Sequence, residues 1–180
     1  MQNYWQVHAI QEEIRRVPHA GHESVLYGVW NTILTWQFPV IDGYVTRPQD
    51  THTSQSGEAG YSDLHTYQYV ADNRTATKFL LTQCKKAGLE TQDSTWQEGH
   101  DQLSRYSAST HGRRRADRRS PVYGIVAVGN YMRAYKYDDD QKLVVEWAPW
   151  GMNASEILRI DKVDDKPHVQ RILDHIRDHH

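Results

Sequence analysis

Three residues, Asp63, Gln83 and Lys85, have the types and spacing needed for phosphate chemistry assisted by a divalent cation. Gln83-Cys84-Lys85 closes an apolar run, Lys78 to Cys84 (KFLLTQC), that reads as a strand. Strand side chains alternate between faces, so Gln83 and Lys85 share one. Asp63 lies near the start of an alternating, Tyr-rich run, Tyr61 to Val70, and Asp72-Asn73-Arg74 reads as the turn between the two runs. Pairing them as a hairpin gathers the three side chains. Asp63 would then offer a carboxylate to a metal ion, and the Gln83 side-chain oxygen and the Cys84 backbone carbonyl two neutral oxygens. Mg²⁺ keeps several of its waters, so few protein ligands suffice. Lys85 would orient or help deprotonate the attacking water and stabilise charge developing on phosphate. The plainer reading leaves Lys85 and Lys86 solvated at a strand end and gives Asp63 a turn-capping role after Ser62, since a lone D…QxK match is common.

The elements that must position these residues follow from periodicity. A short helix fits residues 4–16, ending before Pro18 and Gly21. Val25, Leu26, Val29, Trp30, Ile33 and Leu34 recur at helical spacing and predict an amphipathic helix to about Trp36, ended by Pro39. Val40 to Thr46 reads as a strand interrupted at Asp42-Gly43, and residues 48–60 as a mobile loop rich in Thr, Ser, Gln and Gly. Trp96, His100, Leu103 and Tyr106 predict a helix over 95–109, capped by Ser94 or Thr95. Val122 to Val128 is apolar on both faces, as a central strand should be. Tyr131 to Tyr137 and Leu143 to Trp147 flank a turn and predict a hairpin, and Val169, Ile172, Leu173 and Ile176 a last helix with Pro167 in its first turn. Helices packed on a mixed sheet make the class α/β or α+β.

This order, helix–strand–strand–strand–helix–strand, resembles the PD-(D/E)XK nuclease superfamily over about residues 22–135. The resemblance is carried by Asp63, by Gln83-Cys84-Lys85, by Gln102 and Tyr106 as a QxxxY pattern, and by Val122-Tyr123-Gly124-Ile125. LLTQCKKAG is similar to the segment of Mrr-like restriction endonucleases in which Gln replaces the usual Glu. W…QLxxY followed by YGIVAVGNYMRAY resembles the nuclease domain of type I restriction motor subunits. The resemblance implies one domain over 1–180, with a C-terminal hairpin and helix over 136–180 added to the nuclease core. It implies Mg²⁺- or Mn²⁺-dependent hydrolysis of DNA at Asp63, Gln83, Cys84 (through its carbonyl) and Lys85, supported by Gln102 and Tyr106. It also places Glu23 as the helix carboxylate that approaches the metal. Gln in place of Glu removes a negative ligand, a loss Glu23 would restore. The alternative is a relative that has lost catalysis and serves as a nucleic-acid-binding or protein-interaction domain. The resemblance also implies a recognition partner or a homodimer for specificity, since no recognition domain is attached.

The remaining chemistry-bearing residues read more plainly. Arg113, Arg114, Arg115, Arg118 and Arg119 form a basic run that suits phosphate contacts, nuclear import or a solvated loop equally. Cys84 has no His in a recognisable pattern beside it and reads as a buried thiol. His175 and His179 are one helical turn apart, but no third or fourth ligand is evident, so they and His22 and His180 read as solvated. The chain has 180 residues, a formal charge of −2 and one cysteine, which suits a single reduced domain without general attraction to polyanions. No secretory leader or membrane span is evident, and the expected location is cytoplasmic or nuclear.

Overall fold

A computed structural model describes residues 2–19, 22–53, 59–69, 76–112, 114 and 119–180, with the side chains at 19, 23, 49–53 and 59–63 outside that description. The strands are β1 (Tyr44–Thr53), β2 (Ala59–Tyr69), β3 (Ala76–Lys85), β4 (Tyr123–Val128), β5 (Tyr131–Asp138), β6 (Leu143–Glu146) and β7 (Leu158–Arg159). The helices are α1 (His8–Arg16), α2 (Glu23–Gln37), α3 (Asp93–His111) and α4 (Lys166–His179). The strands form one mixed sheet in the order β1-β2-β3-β4-β5-β6, with β7 also paired to β5. Every pairing is antiparallel except β3 with β4, which is parallel and reached through α3. A parallel neighbour needs such a crossover, and a helix supplies it. The expected class, a mixed sheet flanked by helices in restriction-endonuclease-like order, is the one observed.

Alternation along β3 divides the molecule. Leu80 and Cys84 face one layer, where α2 packs through Leu26, Val29, Trp30, Ile33 and Leu34. These five are at most 2% exposed, and burying each contributes about 1.5–3 kcal/mol. Leu81 faces the opposite layer, with Trp96, Leu103 and Tyr106 of α3 and Val126 and Val128 of β4. α3 approaches β4 closely because both contribute glycines. A Cβ at Gly99 would lie 2.6 Å from Val126 Cγ1, and one at Gly124 2.8 Å from Leu103 Cδ1.

The chain ends join the α2 layer. Tyr4, Ile10 and Ile14 share its core with Val169, Ile172, Leu173 and Ile176 of α4. Buried amides fasten them: the Tyr4 backbone N–H donates to Gln170 Oε1 (3.1 Å), Gln170 Nε2 donates to Gln37 Oε1 (2.9 Å), and Gln37 Nε2 donates to Asp174 Oδ1 (2.9 Å).

Two sequence expectations need correction. Val40–Asp42 is a 3₁₀ turn with Val40 and Ile41 exposed, so the first strand begins at Tyr44. Residues 48–53 and 59–60, expected as loop, pair as β1 and β2 from Pro48–Leu64 to Thr53–Ala59. β1 has one neighbour, so its polar residues are tolerated at the sheet edge, as Pro48 is. The turn 72–74 lies outside the described residues. No helix among the described residues is long and apolar enough to cross a membrane.

Candidate functional site

Gln83 and Lys85 end β3 on the face that α3 covers. The register from Leu80–Tyr123 to Lys85–Val128 is unbroken, so both share the side of Leu81. Gln83 is 1% exposed, and its Nε2 has no hydrogen-bond partner among the described residues. Lys85 Nζ donates to Glu98 Oε1 at 2.7 Å. Gln102 Nε2, one helical turn on, donates to the same oxygen at 3.3 Å. Tyr106, a further turn on, is buried in the α3-side core. Lys85, Glu98 and Gln102 thus form a polar line at the edge of the α3–sheet interface. The Lys85 side chain is 13% exposed and that of Glu98 59%, so the line opens to solvent at Glu98.

Asp63 lies on β2 beside Leu64, whose partner is Thr82, and Gln83 follows Thr82 on β3. The two strand positions are therefore neighbours across the ladder, where strands run about 4.8 Å apart. The Asp63 side chain lies outside the described residues. Glu23 opens α2, on the layer opposite to Gln83 and Lys85, and its side chain too lies outside the description. Cys84 is buried among the α2-side residues, away from that face.

Glu98 is the residue that sequence reasoning missed. It brings a carboxylate from α3 to Lys85, two positions along β3 from Gln83. It stands one turn before Gln102 on the helix, but nothing in the sequence separates it from the other polar residues on that side. The candidate ligands on this side of the sheet are oxygens: the Gln83 amide, whose N and O are interchangeable by a flip, and the Glu98 carboxylate at Lys85. Such a set suits Mg²⁺ or Mn²⁺ better than Zn²⁺. No group of three or more His, Cys, Asp or Glu side chains with metal-binding geometry occurs among the described residues.

Of the basic run, Arg114 and Arg119 are described and lie at the other end of the sheet, before β4 begins opposite Leu80. Arg114 is held by the Ser120 carbonyl (2.7 Å) and both Asp139 oxygens (3.2 Å each), and Arg119 by Asp139 and Asp140. Arg113, Arg115 and Arg118 lie outside the described residues. His179 is exposed, as expected, but His175 and His180 are half-buried: His175 stacks on His179 with centroids 4.0 Å apart, and His180 on Phe79 at 3.9 Å. Burial accordingly holds the His175 and His180 pKa values below the ordinary range. A cleft of about 350 Å³ between α3 and β5–β6 is lined by Trp96, His100, Arg133 and Glu146, and does not include Gln83 or Lys85. Its Arg133 and Glu146 pair with each other at 2.7 Å.

No family model matches this chain, and no curated protein is significantly similar to it. The fold does recur among solved structures. A chain of a DrdV–DNA complex determined by cryo-electron microscopy matches 93% of this chain with a TM-score of 0.56 at 10% identity. The matched part is 13% of that chain's length. At that identity the similarity is one of fold.

Proposed function

We propose that this chain is a metal-dependent nuclease domain that hydrolyses DNA phosphodiesters at a centre made by Asp63, Gln83, Lys85 and Glu98. The observation that carries the reading is the Lys85–Glu98 pair. It supplies, on the face shared by Gln83 and Lys85, the carboxylate that Gln83 lacks. Asp63, on the neighbouring strand position, would be the second carboxylate. Asp63, Glu98 and the Gln83 oxygen would hold Mg²⁺ or Mn²⁺, and the bound ion would lower the pKa of a water and neutralise phosphate charge. Lys85 would stabilise charge on the scissile phosphate and orient the water, with Glu98 fixing its ammonium group. Gln102 would hold Glu98, and Tyr106 anchors α3 in the core. In this arrangement α3, not Glu23 on α2, compensates for Gln in the strand. Cys84 would contribute its carbonyl alone.

A DNA substrate is supported by the similarity of fold to a chain solved in a complex with DNA. The test is cleavage of duplex and single-stranded DNA with Mg²⁺ or Mn²⁺, with EDTA and Lys85→Ala as controls. Cleavage that needs the metal and Lys85 supports the reading. DNA binding without cleavage in any form would instead support a relative that has lost its chemistry.

A further inference from the structure

A β-bulge interrupts the β2–β3 ladder. Thr66 pairs with Leu80 but Tyr67 with Lys78, so Phe79 is the extra residue. Phe79 and Leu80 both enter the α2-side core. Strict alternation from Leu80 would have placed Lys78 on that side as well. The bulge turns it to the α3 side, where its Nζ lies 5.3 Å from the centre of the Tyr67 ring. Bulges re-aim side chains in this way. Arg47 approaches the same ring at 4.6 Å.

Lys78 thereby enters a cleft of about 510 Å³ between the start of β3 and the C-terminal end of α3, lined also by Tyr67, Thr77, Thr110, His111 and Arg114. Among the described residues, no carboxylate lines it. Arg114 is held by Asp139 and the Ser120 carbonyl, which fix its guanidinium. His111 is 5% exposed, and its Nε2 has no partner among the described residues. Burial, then Arg114, Lys78 and His65, lower its pKa to about 3, so it is neutral and adds no further positive charge. Two cations and the hydroxyls of Thr77, Thr110 and Ser120, with no acid among the described lining residues, suit a phosphate oxyanion, which accepts hydrogen bonds and donates none.

We infer that this cleft binds a phosphate group, with a DNA strand as its source. The inference rests on the proposed DNA substrate but not on hydrolysis, because Lys78 and Lys85 are seven residues apart on one strand, about 23 Å. A phosphate held here would anchor DNA away from the reacting phosphodiester, as backbone contacts position a duplex without reading it.

The test uses the whole chain in EDTA, which silences the metal centre. Inorganic phosphate is titrated at constant ionic strength while the His111 ring resonances are followed by NMR. Binding should shift those resonances and raise the His111 pKa, and Lys78→Gln should weaken binding roughly tenfold. A short DNA duplex should displace the phosphate. If phosphate shifts nothing at His111, or binds Lys78→Gln equally, the inference is overturned; the NMR spectrum of the variant shows whether it is folded. If phosphate binds but DNA fails to displace it, the cleft is a free-phosphate site and the DNA source is wrong. Loss of DNA cleavage with phosphate and DNA binding intact would overturn the nuclease reading alone.

Discussion

Lys85 Nζ on β3 and Glu98 Oε1 on α3 are 2.7 Å apart, although 13 positions separate them in the chain. Glu98 is more than half exposed, so the pair adds less than about 1 kcal/mol to stability. Glu98→Gln should therefore leave urea unfolding nearly unchanged while reducing DNA cleavage about a hundredfold, the scale of losing one aimed electrostatic group. A variant that loses stability and cleavage in proportion would assign the pair to the scaffold.

Gln83→Glu should have opposite consequences with and without metal. Position 83 is 1% exposed, and an added carboxylate there costs about 1–3 kcal/mol when it lacks a full set of partners. Mn²⁺ should offset that cost, because affinity follows the charge of the ligand set. Unfolding in EDTA and in Mn²⁺ reads both effects. Equal stabilisation of wild type and variant by Mn²⁺ would place no ion at residue 83.

The placement of Glu98 depends on its neighbour. Gly99 lets α3 sit against Val126, and a methyl group there would come within 2.6 Å of Val126 Cγ1. Valine is stiff at χ1 and this one is fully buried, so the helix must yield. Gly99→Ala should destabilise the fold by about 1–3 kcal/mol, as overpacking does. It should also cut cleavage by displacing Glu98. Thermal unfolding and the cleavage rate, measured on the same sample below the transition, check this.

Acid should weaken the fold through His111. Its pKa of about 3 lies below the ordinary 6.5, held down by burial, Arg114, Lys78 and His65, with the Tyr137 ring beside it. Between these values the unfolded chain binds more protons than the native one, so stability is full above about pH 6.5 and falls as pH drops toward 3. From pH 7 to 5 the loss from this group is about 2 kcal/mol. His111→Gln should flatten that part of the pH profile, whatever it does to stability at pH 7. Urea titrations of both proteins at pH 5 and 7 give the comparison, and parallel profiles would refute it.

Much of this architecture was legible in the chain. α2, β3, α3, β4 and the β5–β6 hairpin follow periodicity, because each buries one face or both. β1 was not legible beyond Thr46, since an edge strand held by one backbone ladder need not bury its side chains and can carry Pro48. Gln83 and Lys85 were readable as a pair from alternation alone. Glu98 was not, because Gln97, Glu98, Asp101 and Gln102 look alike as the polar side of a helix, and only docking on the sheet selects the one that meets Lys85. Nor could the run from Lys78 reveal its bulge: alternation sends Lys78 to the α2 side, and only the ladder shows that Phe79 takes that place.

The claim that Asp63 and Glu98 hold a divalent ion beside Gln83 and Lys85 is tested most directly by calorimetric titration of Mn²⁺ into wild type, Asp63→Asn and Glu98→Gln. Wild type should bind one ion, with the modest affinity of two carboxylates and a neutral oxygen. Each variant should bind at least roughly tenfold more weakly, since each loses a charged ligand. Equal binding by all three proteins, or none by wild type, would contradict a metal centre at these residues.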